Sequence, residues 1–236
     1  MPPAAAEGLQ LRAANVSATA WLWLVRDLGP GISAVGAGLA TLPRRPREGL
    51  ARAGGGLLDA TAGALFAVAA MLAQVGGALR PLREDELAAG RLVFADTIPW
   101  HRVRVHDGSV LARAASRRRP TAVVTMRVVH APPRFRTDTA KGRAWLVHEL
   151  MHVWQGQHTG PSSMARALVG QWRGGYDYGG ERGLLRHAEQ GLAAFNPEQQ
   201  ADIMRGYYLR AVTGRDVAAF EPYVDEARTV SGRSVG

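Results

Sequence analysis

Cysteine is absent from all 236 residues. That excludes disulfides, thiol nucleophiles and thiolate-held metals, so any metal must be bound by histidine and carboxylates. Lysine is almost as scarce. Lys141 is the single example, and the other basic residues are arginines. A secretory signal is also missing from the pattern. Met1-Pro2-Pro3 opens without a basic stretch, and no short apolar run with a small-residue cleavage site follows. Long apolar runs are confined to residues 57–79, which Asp59 and Gln74 interrupt. That run is long enough to span a bilayer. Its alanine and glycine content makes it only modestly hydrophobic, and a helix buried in a hairpin or against a partner is the favoured expectation. Membrane contact through residues 57–79 is the other.

The formal charge is +9. Residues 1–130 hold 16 basic and 9 acidic side chains, a surplus of 7, whereas the remainder holds 13 and 11, a surplus of 2. Arg44, Arg45 and Arg47 form one cluster, and Arg117, Arg118 and Arg119 another. Either could touch nucleic acid or anionic lipid, but neither is interleaved with aromatics or set in a nucleic-acid fold motif, so solvated loops are the favoured reading and no nucleic-acid partner is expected.

Two regions differ in composition. Residues 1–79 are an alanine- and glycine-rich helical extension, and residues 80–236 are an α+β, mostly helical domain. In the first, residues 15–28 predict a short helix broken by Gly29-Pro30-Gly31, and residues 43–47 a turn. In the second, residues 82–94 predict an amphipathic helix with acids in its first turn. Residues 100–106 predict a half-buried strand, Asp107-Gly108 a turn, and residues 121–129 one continuous β-branched strand. A helix over residues 140–155 follows, capped by Thr137 or Asp138. After it come a short helix over 162–171 and a glycine-rich surface loop over 172–183. Asn196-Pro197 starts a helix that runs to about residue 212, with Gly214 as its stop. Residues 216–228 predict a last helix bent at Pro222.

The helix over 140–155 carries the chemistry. His148-Glu149-Leu150-Met151-His152 spells H-E-x-x-H. Residues four apart on a helix lie one above the other, so both imidazoles can reach one ion. Glu149 projects to the same side and can act as general base on a metal-bound water. The helix is apolar around most of its surface, which predicts burial. Buried His and Glu side chains need partners, and zinc would satisfy all three.

A catalytic zinc needs a third protein ligand. Glu198 sits just inside the Asn196-Pro197 helix, and Asp202 follows four residues later on the same face. Glu198 would bind the ion while Asp202 accepts the N–H of a ligating histidine. His158 is the rival. It holds the third-histidine place of H-E-x-x-H-x-x-G-x-x-H, although Gln155 stands where the glycine belongs and the glycine is displaced to 156. His187 and Glu189 are further candidates. For the donor to a developing oxyanion, Tyr207 is taken because it shares the Glu198 helix, with Tyr176, Tyr178, Tyr208 and His187 as alternatives.

This order of elements resembles the gluzincin metallopeptidases, the thermolysin-like group with H-E-x-x-H and a downstream Glu-x-x-x-Asp. More closely, residues 80–212 resemble small bacterial proteins called vgr-related or Rhs-associated. The matching stretches are Arg80-Pro81-Leu82, residues 94–105, residues 146–155, Gly175-Tyr176-Asp177-Tyr178 and residues 196–208. The resemblance implies a zincin-like domain with a small β-sheet and a buried motif helix. It implies His148, His152 and Glu198 as zinc ligands and Glu149 as base, in a zinc-dependent metallopeptidase acting on a peptide or protein. The alternative expectation is a structural or interaction module, or an effector, of a bacterial secretion or contractile injection system. Its site would be non-catalytic, and residues 1–79 would dock to the apparatus. Such a protein would be made in the bacterial cytoplasm and exported without a cleaved signal.

Overall fold

The computed structural model describes residues 23–72, 79–116, 121–133, 135–159 and 175–229, with isolated helical positions before residue 23. Residues 117–119 and 162–171, the second arginine cluster and the expected short helix, lie outside the described residues, as do residues 73–78 of the apolar run. The chain divides into two compact units. One comprises residues 1–75 and 156–169, and the other residues 76–155 and 170–236.

Residues 24–72 of the first unit form a helical hairpin. A π-helical turn, Leu24–Leu28, with i→i+5 hydrogen bonding, runs directly into helix α1, Gly29–Thr41. Gly29-Pro30-Gly31 therefore does not break the helix as expected. Pro30 is the second residue of α1, and its fixed φ fits a helix. Gly31 is buried, and a Cβ there would sit 2.7 Å from the carbonyl oxygen of Gly56. The turn at residues 42–45 leads to α2, Pro46–Leu72, which begins well before the expected apolar run. Among the described residues no helix is long and apolar enough to cross a membrane.

The second unit is α+β and mostly helical, with one four-stranded sheet. The strands are β1 (Leu79–Arg80), β2 (Arg104–Asp107), β3 (Val123–Thr125) and β4 (Val128–Ala131), in the order β1-β2-β4-β3. β2 and β4 are parallel, and the outer pairs are antiparallel. Two strand expectations change. Residues 100–106 split into a single helical turn, Trp100–Arg102, and a shorter strand beginning at Arg104. Residues 121–129 fold into a tight hairpin rather than one strand. Met126, buried and at φ 56°, makes the turn without the glycine that would have announced it. An unforeseen short helix, α4 (Val110–Ala115), lies between β2 and β3, capped by Ser109.

Helix α3 (Glu84–Phe94) is fastened to β1 through a buried carboxylate. Glu86 was expected as an acid of the first turn; it is fully buried. It accepts from Arg80 at 2.7 and 3.0 Å, from Thr137 Oγ1 at 2.7 Å and from the Arg83 N–H at 2.8 Å. Burial alone would raise its pKa, but these donors outweigh burial and hold it below the usual carboxylate range. The network joins β1, α3 and the segment leading into helix α5, Ala140–Thr159. Thr137 is committed to that network, and Asp138 pairs with Arg136. The cap of α5 is Thr139, whose Oγ1 accepts from the Gly142 N–H at 3.1 Å. Residues 180–183, expected in a loop, belong to α6 (Gly180–Arg186). The last helices are α7 (Pro197–Val212) and α8 (Glu221–Thr229), the latter with Pro222 in its first turn.

Candidate metal centre

Two helices build the site. Along α5, Leu146, Val147, Leu150, Met151 and Val153 are fully buried, so the helix is held on several sides. Trp154 adds a tether, donating its indole N–H to the Ala227 carbonyl at 3.0 Å and so holding α8. Helix α7 starts where Asn196 Oδ1 accepts from the backbone N–H groups of Glu198 and Gln199 at 3.0 and 2.9 Å. Its first turn carries Glu198, where the helix dipole favours an anion.

His148, His152 and Glu198 converge, with one ligand atom from each lying within 4.8 Å of the others. The two rings stand 5.1 Å apart at 82°. His148 Nε2 is 3.2 Å from one Glu198 oxygen, and His152 Nε2 is 3.2 Å from the other. Behind the rings, His148 Nδ1 lies 2.9 Å from Asp202 Oδ1 and His152 Nδ1 lies 2.8 Å from Gln155 Oε1. A carboxylate oxygen and an amide oxygen can only accept, so both Nδ1 atoms carry hydrogen and both Nε2 atoms face Glu198. The orientation of Gln155 is fixed in turn, because its Nε2 donates to the Pro197 carbonyl at 3.0 Å and to Gln200 Oε1 at 2.8 Å. Arg205 holds Asp202 at 3.1 Å.

Each Nε2 thus meets an atom that has only lone pairs to offer. Something positive must lie between them, either a proton on the imidazole or a cation shared by all three side chains. The donor set of two imidazole nitrogens and a carboxylate suits zinc. With ligand distances of about 2.05 Å, a tetrahedral zinc site has an edge of about 3.3 Å; the two 3.2 Å nitrogen–oxygen separations here run to different Glu198 oxygens and the three ligand atoms spread over as much as 4.8 Å, so the side chains must draw in to hold the ion. The electrostatics agree. Burial alone would lower the pKa of His148, but the bonds to Asp202 and Glu198 outweigh it and push the pKa up to about 9. Burial alone would raise that of Glu198, but both imidazoles outweigh it and drive the pKa far below the usual range. The surroundings that favour an imidazolium also favour a dication.

Glu149 is almost fully buried beside this group. Burial raises its pKa, Glu198 adds to the rise, and His148, His152 and a hydrogen bond from Trp145 oppose it. Tyr176 covers the group from another side. Its hydroxyl bonds to Glu198, its ring centre is 6.1 Å from that of His148, and it is 52% exposed. Its backbone is tethered to α7, because Asn196 Nδ2 donates to the Gly175 carbonyl at 3.3 Å and Gln199 Nε2 to the Asp177 carbonyl at 2.7 Å.

The remaining candidates go elsewhere. Tyr207 lies nine residues after Glu198, half a turn around α7. Its hydroxyl is 3.4 Å from Arg228, whose guanidinium stacks 5.8 Å from its ring centre, so the structure does not bring Tyr207 to the cluster. Tyr208 accepts from Arg143 Nε at 3.0 Å, Tyr178 packs edge-on against Phe220, and His187 packs edge-on against Phe195. Glu189 is exposed. His158 lies on the uninterrupted last turns of α5. The helix continues where a third histidine would require the chain to fold back, carrying His158 about 15 Å beyond His148. Sequence reasoning passed over Gln155 as the partner of His152. The signal was available in its spacing, since residue i+3 on a helix faces residue i.

Residues 97–160 match the family model of the eCIS core domain, the core domain of extracellular contractile injection systems. The match supports an injection-system-related protein. It covers a little over a quarter of the chain. It includes β2, β3, β4 and all of α5, hence His148, Glu149 and His152, and stops before Glu198. It lends no support to the narrower vgr-related or Rhs-associated peptidase assignment. No curated protein and no solved structure matches the chain.

Proposed function

We propose that this chain serves a contractile injection system and carries, between α5 and α7, a zinc centre suited to peptide-bond hydrolysis in a zincin-like domain. The observation that carries the reading is the convergence of His148, His152 and Glu198, each ring held from behind by Asp202 or Gln155. Zinc, when bound, supplies Lewis acidity and lowers the pKa of water. In this reading Glu149 takes a proton from water on its carboxylate and returns it to the leaving amine, a role that its raised pKa suits. Trp145 holds the Glu149 carboxylate in place, and burial of the wall excludes competing solvent. Tyr176, rather than Tyr207, has a hydroxyl at the cluster and is the proposed donor to a developing oxyanion.

A second reading has its own support. The match to the eCIS core domain is a likeness to an injection-system domain, and an apparatus module needs zinc only to hold α5 and α7 together. Glu149→Gln separates the two. Under the hydrolase reading the purified variant keeps its zinc, measured by elemental analysis, and loses about 10²–10⁴-fold in cleavage of a peptide library. Zinc-loaded wild-type protein that cleaves no member of the library leaves the structural module as the reading to keep. Purified protein with no affinity for zinc overturns both.

A further inference from the structure

The N-terminal hairpin is built inside out for a water-soluble element. Among its described residues the buried ones are Gly31, Gly38, Gly49, Gly56, Gly63 and Asp27. The glycines recur every seven residues on each helix and form one seam. A Cβ at Gly38 would lie 2.6 Å from the Ala53 nitrogen, and one at Gly56 2.5 Å from the Gly31 carbonyl oxygen. Large aliphatic side chains face outward instead. On α2, Leu57, Leu58 and Leu65 are 60%, 68% and 73% exposed, and Leu50 and Val68 are exposed with them. At 100° per residue these five fall within an arc of about 100°, whereas Arg52 and Asp59 lie on the opposite side. On α1, Ile32 and Leu39 are exposed about a quarter turn from the seam. Antiparallel pairing across the seam puts Ile32, Leu39, Leu50 and Leu57 on one side of the hairpin, with Leu58 and Leu65 at its outer edge, opposite the seam. A seam of glycines withdraws little apolar area from water, so the hydrophobic effect contributes little to this element in aqueous solution. Small residues between helices with large apolar ones outside is the arrangement suited to lipid surroundings.

Charge indicates what covers this face. The turn between the helices presents Arg44, Arg45 and Arg47, all exposed, at one end of the aliphatic surface; Arg45 pairs with Glu48 at 3.2 Å, which leaves a surplus of two positive charges. Thr61 lies within the α2 arc, and its hydroxyl is turned back onto its own helix, donating to the Leu57 and Leu58 carbonyls at 2.8 and 3.1 Å. The hydroxyl is therefore as well satisfied in an apolar medium as in water.

We infer that the α1–α2 hairpin lies flat on an anionic lipid bilayer. Its leucine face sinks into the boundary between headgroups and acyl chains, and the arginine turn sits among the phosphates. The hairpin rests on the membrane and does not span it, in keeping with the charged residues on its other side. The inference is independent of the zinc centre.

The test is flotation of the full chain with vesicles of phosphatidylcholine alone and with vesicles of equal parts phosphatidylcholine and phosphatidylglycerol. Expected is co-flotation with the anionic vesicles and weaker flotation with the neutral ones. The triple variant Leu57→Ser, Leu58→Ser, Leu65→Ser should partition less by about tenfold for each leucine, with its circular dichroism unchanged. Arg44→Gln, Arg45→Gln, Arg47→Gln together should remove the preference for anionic vesicles. The inference is overturned if the full chain floats with neither vesicle, or if the serine variant floats as wild type does. A loss of stability of the serine variant without vesicles well beyond the helix-propensity cost of about 0.3 kcal/mol per substitution also overturns it, because the face is then covered within the chain. So does self-association of wild type that the serine variant lacks, since the occupant is then a second copy.

Discussion

Replacing Gln155 with leucine removes one acceptor and two donors from the wall of the metal centre while nearly preserving volume. The acceptor is Oε1, which takes the Nδ1–H of His152 at 2.8 Å. Without it the ring is free to rotate and to change tautomer, and Nε2 no longer faces Glu198 by default. Loss of such a partner behind a ligating histidine weakens metal affinity by about 10–100-fold, which is about 1.4–2.8 kcal/mol. The two donors are a separate matter. They bridge α5 to the Pro197 carbonyl and to Gln200 on α7, and losing them costs about 1–3 kcal/mol of fold stability. The effects separate by assay. Competition with a chromophoric chelator reads zinc affinity, and urea unfolding in the presence of excess chelator reads the fold alone. At saturating zinc, each tenfold loss of affinity also removes about 1.4 kcal/mol of zinc-dependent stabilisation. A folded Gln155→Leu protein that binds zinc as tightly as wild type would refute the orienting role given to this amide.

Three further outcomes follow from the structure. Tyr176→Phe should lower kcat for peptide cleavage with little change in KM, whereas Tyr207→Phe, altered on the far side of α7, should leave both unchanged; equal effects in a kinetic comparison would remove Tyr176 from its role. Asp202→Asn should weaken zinc binding by about tenfold, read by the same chelator competition, because an amide at that position accepts the His148 N–H less strongly than a carboxylate does. The third outcome concerns pH. His130 is fully buried, 3.0 Å from Ser109 Oγ and 2.7 Å from Thr125 Oγ1. Burial, with His106 close by, lowers its pKa to about 3. The unfolded chain therefore takes up a proton that the folded chain refuses, so stability is full above about 6.5 and falls as pH drops toward 3. Between pH 6.5 and 4.5 the loss should be about 2 kcal/mol in urea unfolding with chelator present. His130→Gln should flatten that slope, and an unchanged slope would assign it to another group.

The sequence alone determined a good deal, and for local reasons. Helical periodicity put His148, Glu149 and His152 on one side of one helix. The Asn196-Pro197 start set the register of α7, and with it the shared face of Glu198 and Asp202. Both are properties of a few consecutive residues. Tertiary structure decided what depended on distant residues. Tyr176 stands at the cluster because its loop is tied to the first turn of α7, whereas Tyr207 shares that helix and points away. Gly29-Pro30-Gly31 stays helical because a second helix lies close enough to need Gly31 bare. The β-hairpin at Met126 turns without glycine because the surrounding core holds a buried side chain at positive φ. At Pro30 and at Met126 contacts across many residues overrode local preferences of about 1–3 kcal/mol.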